Sequence, residues 1–511
     1  MRRRDFLTAA AALAAAACSP GPAAESDGTG TTPNDTGSTN TASAGSGSTI
    51  APPPSTDPPT TVAPLTEPAI DLPEGVFALG VASGDPGADS VVLWTRLIGE
   101  LPGGVPLLWE VAHDEGFSRL AATGLTEATP DFAHSAHVIV AALQPDQWYW
   151  YRFRVGGQSS PVGRTRTMPA PDQAGAGLRI GLGCCQRKDS GYWSAHHDIV
   201  AAGIDLFVWL GDFIYSETAS RPVPGREHRS KDPVDLAGYR ARYADYRSDP
   251  ALQASSAAQP WVATWDDHEV FNDYTSATID ARRRADAYRA WWEHQPTRLA
   301  PPTDTFEIYQ VIDLGALGRV VVTDTRQHAD AVTLLGAAQR DWLAGALDHS
   351  GTWTIMASSV LVGGLLVPPQ REPLLAYTWD GYPSERAWLA DQLALHPNRI
   401  CVSGDLHVAA ALEVRGDPGD RSLPVVATEF IAPAISSSFL ERYEPYLPFI
   451  PLANAHIDYI ETANGWLLLE LTADKATAEF RVMSDVTLPD QTLAAGTRYE
   501  ILNGGALARS G

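Results

Sequence analysis

Four short stretches of the chain combine side chains that bind hard cations or move protons. The first runs from Asp205 to Glu217 (DLFVWLGDFIYSE), with Asp212 just past an apolar run and Tyr215 three residues later. A carboxylate and a phenol on one loop both offer oxygen ligands to a hard metal ion. Alone, they read equally well as a turn aspartate and a packed tyrosine. The second stretch follows Gly404 with Asp405, Leu406 and His407. Residues two apart in an extended segment project to one side, so this carboxylate and imidazole can reach a common point. The third is Cys184-Cys185-Gln186, directly after Leu178 to Gly183. The fourth, Thr264 to Tyr274 (TWDDHEVFNDY), places Asp266, Asp267, His268 and Glu269 straight after the apolar Trp261 to Trp265. Such carboxylates are costly to bury unless they are paired or bound to metal. A lone histidine would carry no signal; flanked by acids and joined to the other clusters, His268 points to a functional site.

The elements in front of these clusters share one grammar. Leu206 to Leu210 is a continuous apolar run, too short for an isolated helix and suited to a strand buried on both faces. Gly211 lets the backbone turn sharply, leaving Asp212 beyond the carboxyl end of the strand, where open α/β sheets place ligands. Arg399 to Ser403 before Gly404, and Leu178 to Gly183, read as two more buried strands. From about residue 178, strands alternate with helical patterns at Asp235 to Arg247, Asp280 to His294, Gly336 to Leu347 and Ser384 to Leu395, which predicts an α/β domain. The aromatics at Trp291 and Trp292 fit a packed core better than a cofactor box. Residues 76 to 168 instead show short alternating runs such as Ser90 to Arg96, His137 to Val140 and Trp148 to Val155, separated by turn signals. That pattern predicts an antiparallel β-sandwich, ending near Met168-Pro169-Ala170-Pro171.

At 511 residues there is material for two or three domains, and the net charge of −24 argues against a stable nucleic-acid partner or a sequence-wide grip on anionic lipid. Residues 1–17, MRRRDFLTAAAALAAAA, read as an export signal, and Arg3-Arg4-Asp5-Phe6-Leu7 resembles the twin-arginine motif. The twin-arginine export machinery is then a partner, and the protein is expected in the periplasm, at the cell surface or secreted. Cys18 follows three alanines and resembles the lipidated cysteine of a bacterial lipoprotein, although Ala15 stands where leucine is usual. Membrane attachment would run only through that lipid. Residues 18–71 are rich in Ser, Thr, Gly and Pro and read as a disordered tether. The four cysteines, at 18, 184, 185 and 401, imply no disulfide framework.

The set GCCQ, GDFIYSE, WDDHEVFND, TDTRQ and SGDLH, in this order behind a β-rich segment and a twin-arginine leader, resembles the PhoD-like alkaline phosphatases and phosphodiesterases within the calcineurin-like metallophosphoesterases. The resemblance covers about 72 to 485. It implies an α/β, two-sheet αββα sandwich over 171–511, preceded by a smaller all-β sandwich over 72–170. It also implies that Cys185, Asp212, Tyr215 and either His407 or Asp405 hold a ferric ion, while Asp212, Asp267 and Asp405 serve calcium. Thiolate and phenolate suit a trivalent ion and carboxylates suit calcium. His268 falls where the superfamily places a histidine beside the phosphate, able to stabilise charge or protonate the leaving oxygen. Arg326 can grip a phosphate oxygen or form a structural bridge to Asp324 or a helix end. Asn272 is a candidate ligand or phosphate donor, Cys184 a small packed residue, and His456 either part of a family motif or structural. The expected activity is hydrolysis of phosphate monoesters, diesters or both by a metal-activated water, with phosphate scavenging as its role. The alternative is a catalytically inactive surface lipoprotein that binds envelope polymers.

Overall fold

The computed structural model describes residues 62–510 apart from 174, 276–277, 304–305, 368–371, 374, 440–446 and 448. The leader, the twin-arginine motif, Cys18 and most of the tether therefore lie outside the described residues. The tether expected through residue 71 gives way earlier to ordered contacts. The Val62 N–H donates to Leu120 O at 3.1 Å, Glu67 pairs with Arg154 at 2.7 Å, and the Gly157 N–H donates to Glu67 Oε1 at 2.7 Å.

Two large sheets carry the fold. In the ten-stranded sheet, Leu178–Gly183, Leu206–Leu210, Pro260–Thr264 and Val81–Gly84 lie side by side and parallel. In the seven-stranded sheet, the parallel core is Gly318–Val322, Trp353–Ala357, Arg399–Ser403 and Ala427–Ile431. Side chains on a strand alternate between its faces. Leu206, Val208 and Leu210 enter a core shared with Val320, Val322, Ile355, Ile400 and Val402 of the other sheet, so the sheets pack face to face. Phe207 and Trp209 point the opposite way, onto Ile199, Tyr239, Tyr243 and Trp291 of the helices Ser194–Ala202, Leu236–Arg247 and Ala281–His294. On the far side of the second sheet, Val321, Met356 and Cys401 pack against Leu343 and Leu389 of the helices Gly336–Leu347 and Pro383–Leu393. Both faces of each parallel core are thus dry, which accounts for the unbroken apolar runs; each fully buried side chain of this size contributes roughly 1.5–3 kcal/mol. This is the α/β two-sheet arrangement expected from the sequence.

The N-terminal β-sandwich is also present, with one sheet built from Val105–Ala112, Leu120–Ala128 and Trp148–Val155. Its opposing layer, Val81–Gly84, Val91–Arg96 and Ser135–Val140, is the end of the ten-stranded sheet. Ser83 is registered against Pro260, so strands on either side of residue 170 share one ladder. Pairing in this way leaves neither Val81–Gly84 nor Pro260–Thr264 with a bare edge at the junction.

Candidate metal centre

The candidate residues stand at the carboxyl ends of strands from both sheets. Cys185, Asp212 and the Asp266-Asp267 pair follow Leu178–Gly183, Leu206–Leu210 and Pro260–Thr264; Asp405 and His407 follow Arg399–Ser403. Turning these side chains toward one point requires left-handed backbone at four positions: Cys185 (φ 56°), Asp212 (φ 59°), Asp405 (φ 67°) and His407 (φ 54°). Each such residue costs on the order of 1 kcal/mol or more, and this kind of strain clusters at functional sites. Backbone bonds hold the conformation: Cys185 N–H donates to Gly211 O at 3.1 Å and Gln186 N–H to Asp212 O at 3.2 Å. Gly211 has φ 107°, and a Cβ there would lie 2.6 Å from Asp266 Cβ, so glycine is what lets the two strand ends touch. Glu269 clamps the same region. Its Oε2 accepts from the Asp212 and Asp266 N–H groups at 3.1 and 3.0 Å, and its Oε1 accepts from Phe213 N–H at 2.6 Å.

Three sets of potential ligand atoms, each within 4.8 Å of one another, form a continuous chain: Cys185, Asp212 and His407; Asp212, Asp267 and His268; Asp266, Asp267 and Asp405. Asp212 and Asp267 each belong to two sets. Tyr215 joins the first, since its hydroxyl donates to Asp212 Oδ2 at 2.9 Å and lies 3.2 Å from His407 Nε2 and 2.8 Å from Ser437 Oγ. His407 Nδ1 lies 3.0 Å from Ser438 O, a contact that places the ring proton on Nδ1 and leaves the Nε2 lone pair facing the set. His268 Nδ1 is held by Glu217 Oε2 at 2.9 Å.

The electrostatics are those of a cation site. Burial and then the neighbouring carboxylates push Asp212 and Asp405 well above the usual carboxylate range, and the Cys185 thiol is likewise pushed up by burial and by Cys184, Asp212 and Asp405. Burial also works against ionisation of Asp267, but His268 and Arg326 outweigh it and hold that group down. Burial opposes a charged His268 too, yet Asp267, Asp212 and Glu217 raise it to about 10; burial lowers His407 to about 4, leaving it neutral as a ligand must be. Among the described residues, Asp405 Oδ2 is buried with no hydrogen-bond partner. An orphaned carboxylate oxygen, mutually repelling acids and strained ligand backbones together fit bound cations, which would partner the oxygen, neutralise the repulsion and offset the strain.

Of the residues singled out in the sequence, Cys185, Asp212, Tyr215, Asp267, His268, Asp405 and His407 come together. The Arg326 guanidinium does not form the expected bridge to Asp324. It makes a two-pronged bond to Asp266, Nε to Oδ1 at 2.5 Å and NH2 to Oδ2 at 3.1 Å, and approaches Asp267 Oδ1 at 3.7 Å. The pair is buried, while Asp324 accepts from the Trp265 indole and the Arg326 backbone, each at 3.0 Å. Asn272 is exposed; its N–H donates to Glu217 Oε1 at 2.9 Å and its amide to Asp273 at 2.6 Å. His456 bonds the Gly364 carbonyl at 2.9 Å, a structural contact, and Cys184 is packed beneath Gly404. Glu217, Asp266 and Glu269 lay inside the motifs without an assigned role. Ser359, whose hydroxyl donates to Asp266 Oδ1 at 2.9 Å, and Ser437 carried no signal in the sequence.

Two facing sheets between helical layers, with a thiol, imidazoles, a phenol and carboxylates converging at their strand ends, define an α/β protein with a candidate metal centre. The family model described as "PhoD-like phosphatase" matches residues 180–480, and that of the "PhoD-like phosphatase, N-terminal domain" matches 65–169. The chain belongs to the PhoD-like phosphatase family, so its substrates are phosphate esters. It is 34% identical over 469 residues to alkaline phosphatase D of Bacillus subtilis (strain 168), covering 83% of this chain and 80% of that relative. The solved structure of PhoD superposes with a TM-score of 0.81 at 32% identity, over 87% of this chain and 94% of that one.

Proposed function

We propose that this phosphatase is an exported, metal-dependent phosphoesterase that hydrolyses both monoesters and diesters and serves phosphate scavenging, with processing of phosphodiester polymers second. The observation that carries the reading is the unbroken chain of three ligand sets joined through Asp212 and Asp267. The thiol, phenol and imidazole of Cys185, Tyr215 and His407 would hold a ferric ion with Asp212, and Asp212, Asp267 and Asp405 would hold calcium. Such ions supply Lewis acidity to phosphoryl oxygens and lower the pKa of water, so no covalent enzyme intermediate is needed.

The chain's own residues set the rest. Glu217 holds His268 through Nδ1, which leaves Nε2 to donate to a phosphoryl oxygen or to the leaving alcohol. Arg326 balances Asp266 and Asp267 rather than gripping substrate, so the cationic pull on a phosphate comes from the ions and His268. A monoester carries up to two negative charges and a diester one, and a site of several cations accommodates both. Export by the twin-arginine route, with a lipid at Cys18, would place the enzyme among extracellular phosphate esters. Release of p-nitrophenol from a monoester and a diester, measured side by side at alkaline pH before and after calcium chelation, tests the proposal. Both substrates should be cleaved and both activities lost on chelation; an enzyme untouched by chelation, or inert toward both esters when fully metallated, contradicts it.

A further inference from the structure

Tyr377 lies between the Leu366–Val367/Glu372–Pro373 hairpin and the short helical turn Trp379–Gly381. Its base is fixed. The Thr378 hydroxyl donates to Leu375 O at 2.9 Å and accepts from Asp380 N–H at 3.3 Å, Trp379 is fully buried, and the Asp380 carboxylate accepts from Leu365 N–H at 2.8 Å and pairs with Arg386. The Trp379 indole reaches Ser358 Oγ at 3.4 Å, next to the Ser359 hydroxyl that binds Asp266. The segment bearing Tyr377 is therefore tied to the same scaffold as the outer carboxylates.

The ring itself is partly exposed, and the Arg326 guanidinium carbon lies 5.5 Å from its centroid. Asp405 acts most strongly on the phenol, followed by burial, Asp273 and Asp267, all holding it protonated, while Arg326 opposes them. Because that same guanidinium is bonded to Asp266 and lies 3.7 Å from Asp267, the ring stands beside the outer carboxylates. Among the described residues no hydrogen-bond partner is found for the hydroxyl, whereas the Tyr215 hydroxyl at the other end of the site is bonded to Asp212 and Ser437. A preorganised donor without a protein partner, on a rigid base beside a reaction centre, is placed to meet a ligand.

We propose that Tyr377 is a substrate-contacting residue whose hydroxyl donates a hydrogen bond to a non-bridging oxygen of the phosphoryl group seated against the outer carboxylate set; this rests on the phosphoesterase reading above. The competing role is a merely structural one, with the ring shielding the Arg326 and Asp266 pair. Tyr377→Phe separates the two, because it keeps the ring and removes only the oxygen. In the metal-loaded protein it should lower kcat/KM for p-nitrophenyl phosphate, and weaken binding of inorganic phosphate measured by calorimetry, on the order of 10- to 100-fold. Metal content and thermal midpoint should match wild type. Tyr377→Leu, which removes the ring as well, should add a loss of stability if the ring also shields the ion pair. A Tyr377→Phe protein that stays within about twofold of wild type in both measurements overturns the proposal, as does one that loses metal. Should the wild-type holoprotein bind phosphate but hydrolyse no ester, the phosphoesterase reading fails while the binding comparison still decides the role of Tyr377.

Discussion

Exchanging Asp212 for asparagine should lower kcat/KM toward a simple phosphate ester by about a hundredfold to a thousandfold, the range seen when one strong electrostatic contact to a reacting centre is removed. Asp212 is the residue shared between the thiol-imidazole set and the inner carboxylate set, so losing its charge weakens both. Folding should not suffer. Asparagine has nearly the same shape, can still accept from the Tyr215 hydroxyl, and tolerates the left-handed backbone that position 212 adopts. Because burial and neighbouring acids oppose ionisation of Asp212, the metal-free variant should be at least as stable as metal-free wild type. Steady-state kinetics and metal analysis, with melting curves of the metal-free forms, check this: activity and bound metal fall together while the metal-free thermal midpoint holds. Wild-type turnover in Asp212→Asn would remove Asp212 from the centre.

The second large effect is on stability. Arg326→Met leaves Asp266 buried without its cation, and breaking one partner of such a pair costs about 3–5 kcal/mol. Denaturant titration should show that loss in the midpoint, and adding Asp266→Asn should recover part of it, because the orphaned charge is then gone. A phosphate-gripping arginine would behave otherwise, with a raised KM, a wild-type unfolding midpoint and no rescue by Asp266→Asn. The two-pronged geometry and the burial of both side chains favour the first outcome.

The contrast between these two residues shows what the sequence carried. Asp212 was legible because a five-residue apolar strand, a glycine and a carboxylate in succession leave few alternatives for where the side chain goes. Helix starts were legible for a similar reason: Asp235 accepts from Gly238 N–H at 2.8 Å and Asp280 from Arg282 N–H at 3.0 Å, both local contacts. The partner of Arg326 lies 60 residues away, on the facing sheet, and its local neighbour Asp324 was the more obvious candidate. Ser437 reaches Tyr215 across 222 residues, and a serine alone says nothing about such a contact. The shared ladder at Ser83 and Pro260 was equally hidden, because alternation identifies a strand but not the strand beside it. Left-handed backbone at Cys185, Asp212, Asp405 and His407 was invisible for another reason. Glycine usually marks such positions, and here function places ligands in them instead.

Elemental analysis of the purified, active protein together with its visible spectrum tests the central claim most directly. On the proposed reading, a ferric ion held by the Cys185 thiolate and the Tyr215 phenolate would accept electron density from both and should give a charge-transfer band, and calcium should be found alongside the iron. That band should shift or vanish in Cys185→Ser and in Tyr215→Phe, in step with activity. A colourless, iron-free and calcium-free protein that is nevertheless fully active would contradict the account.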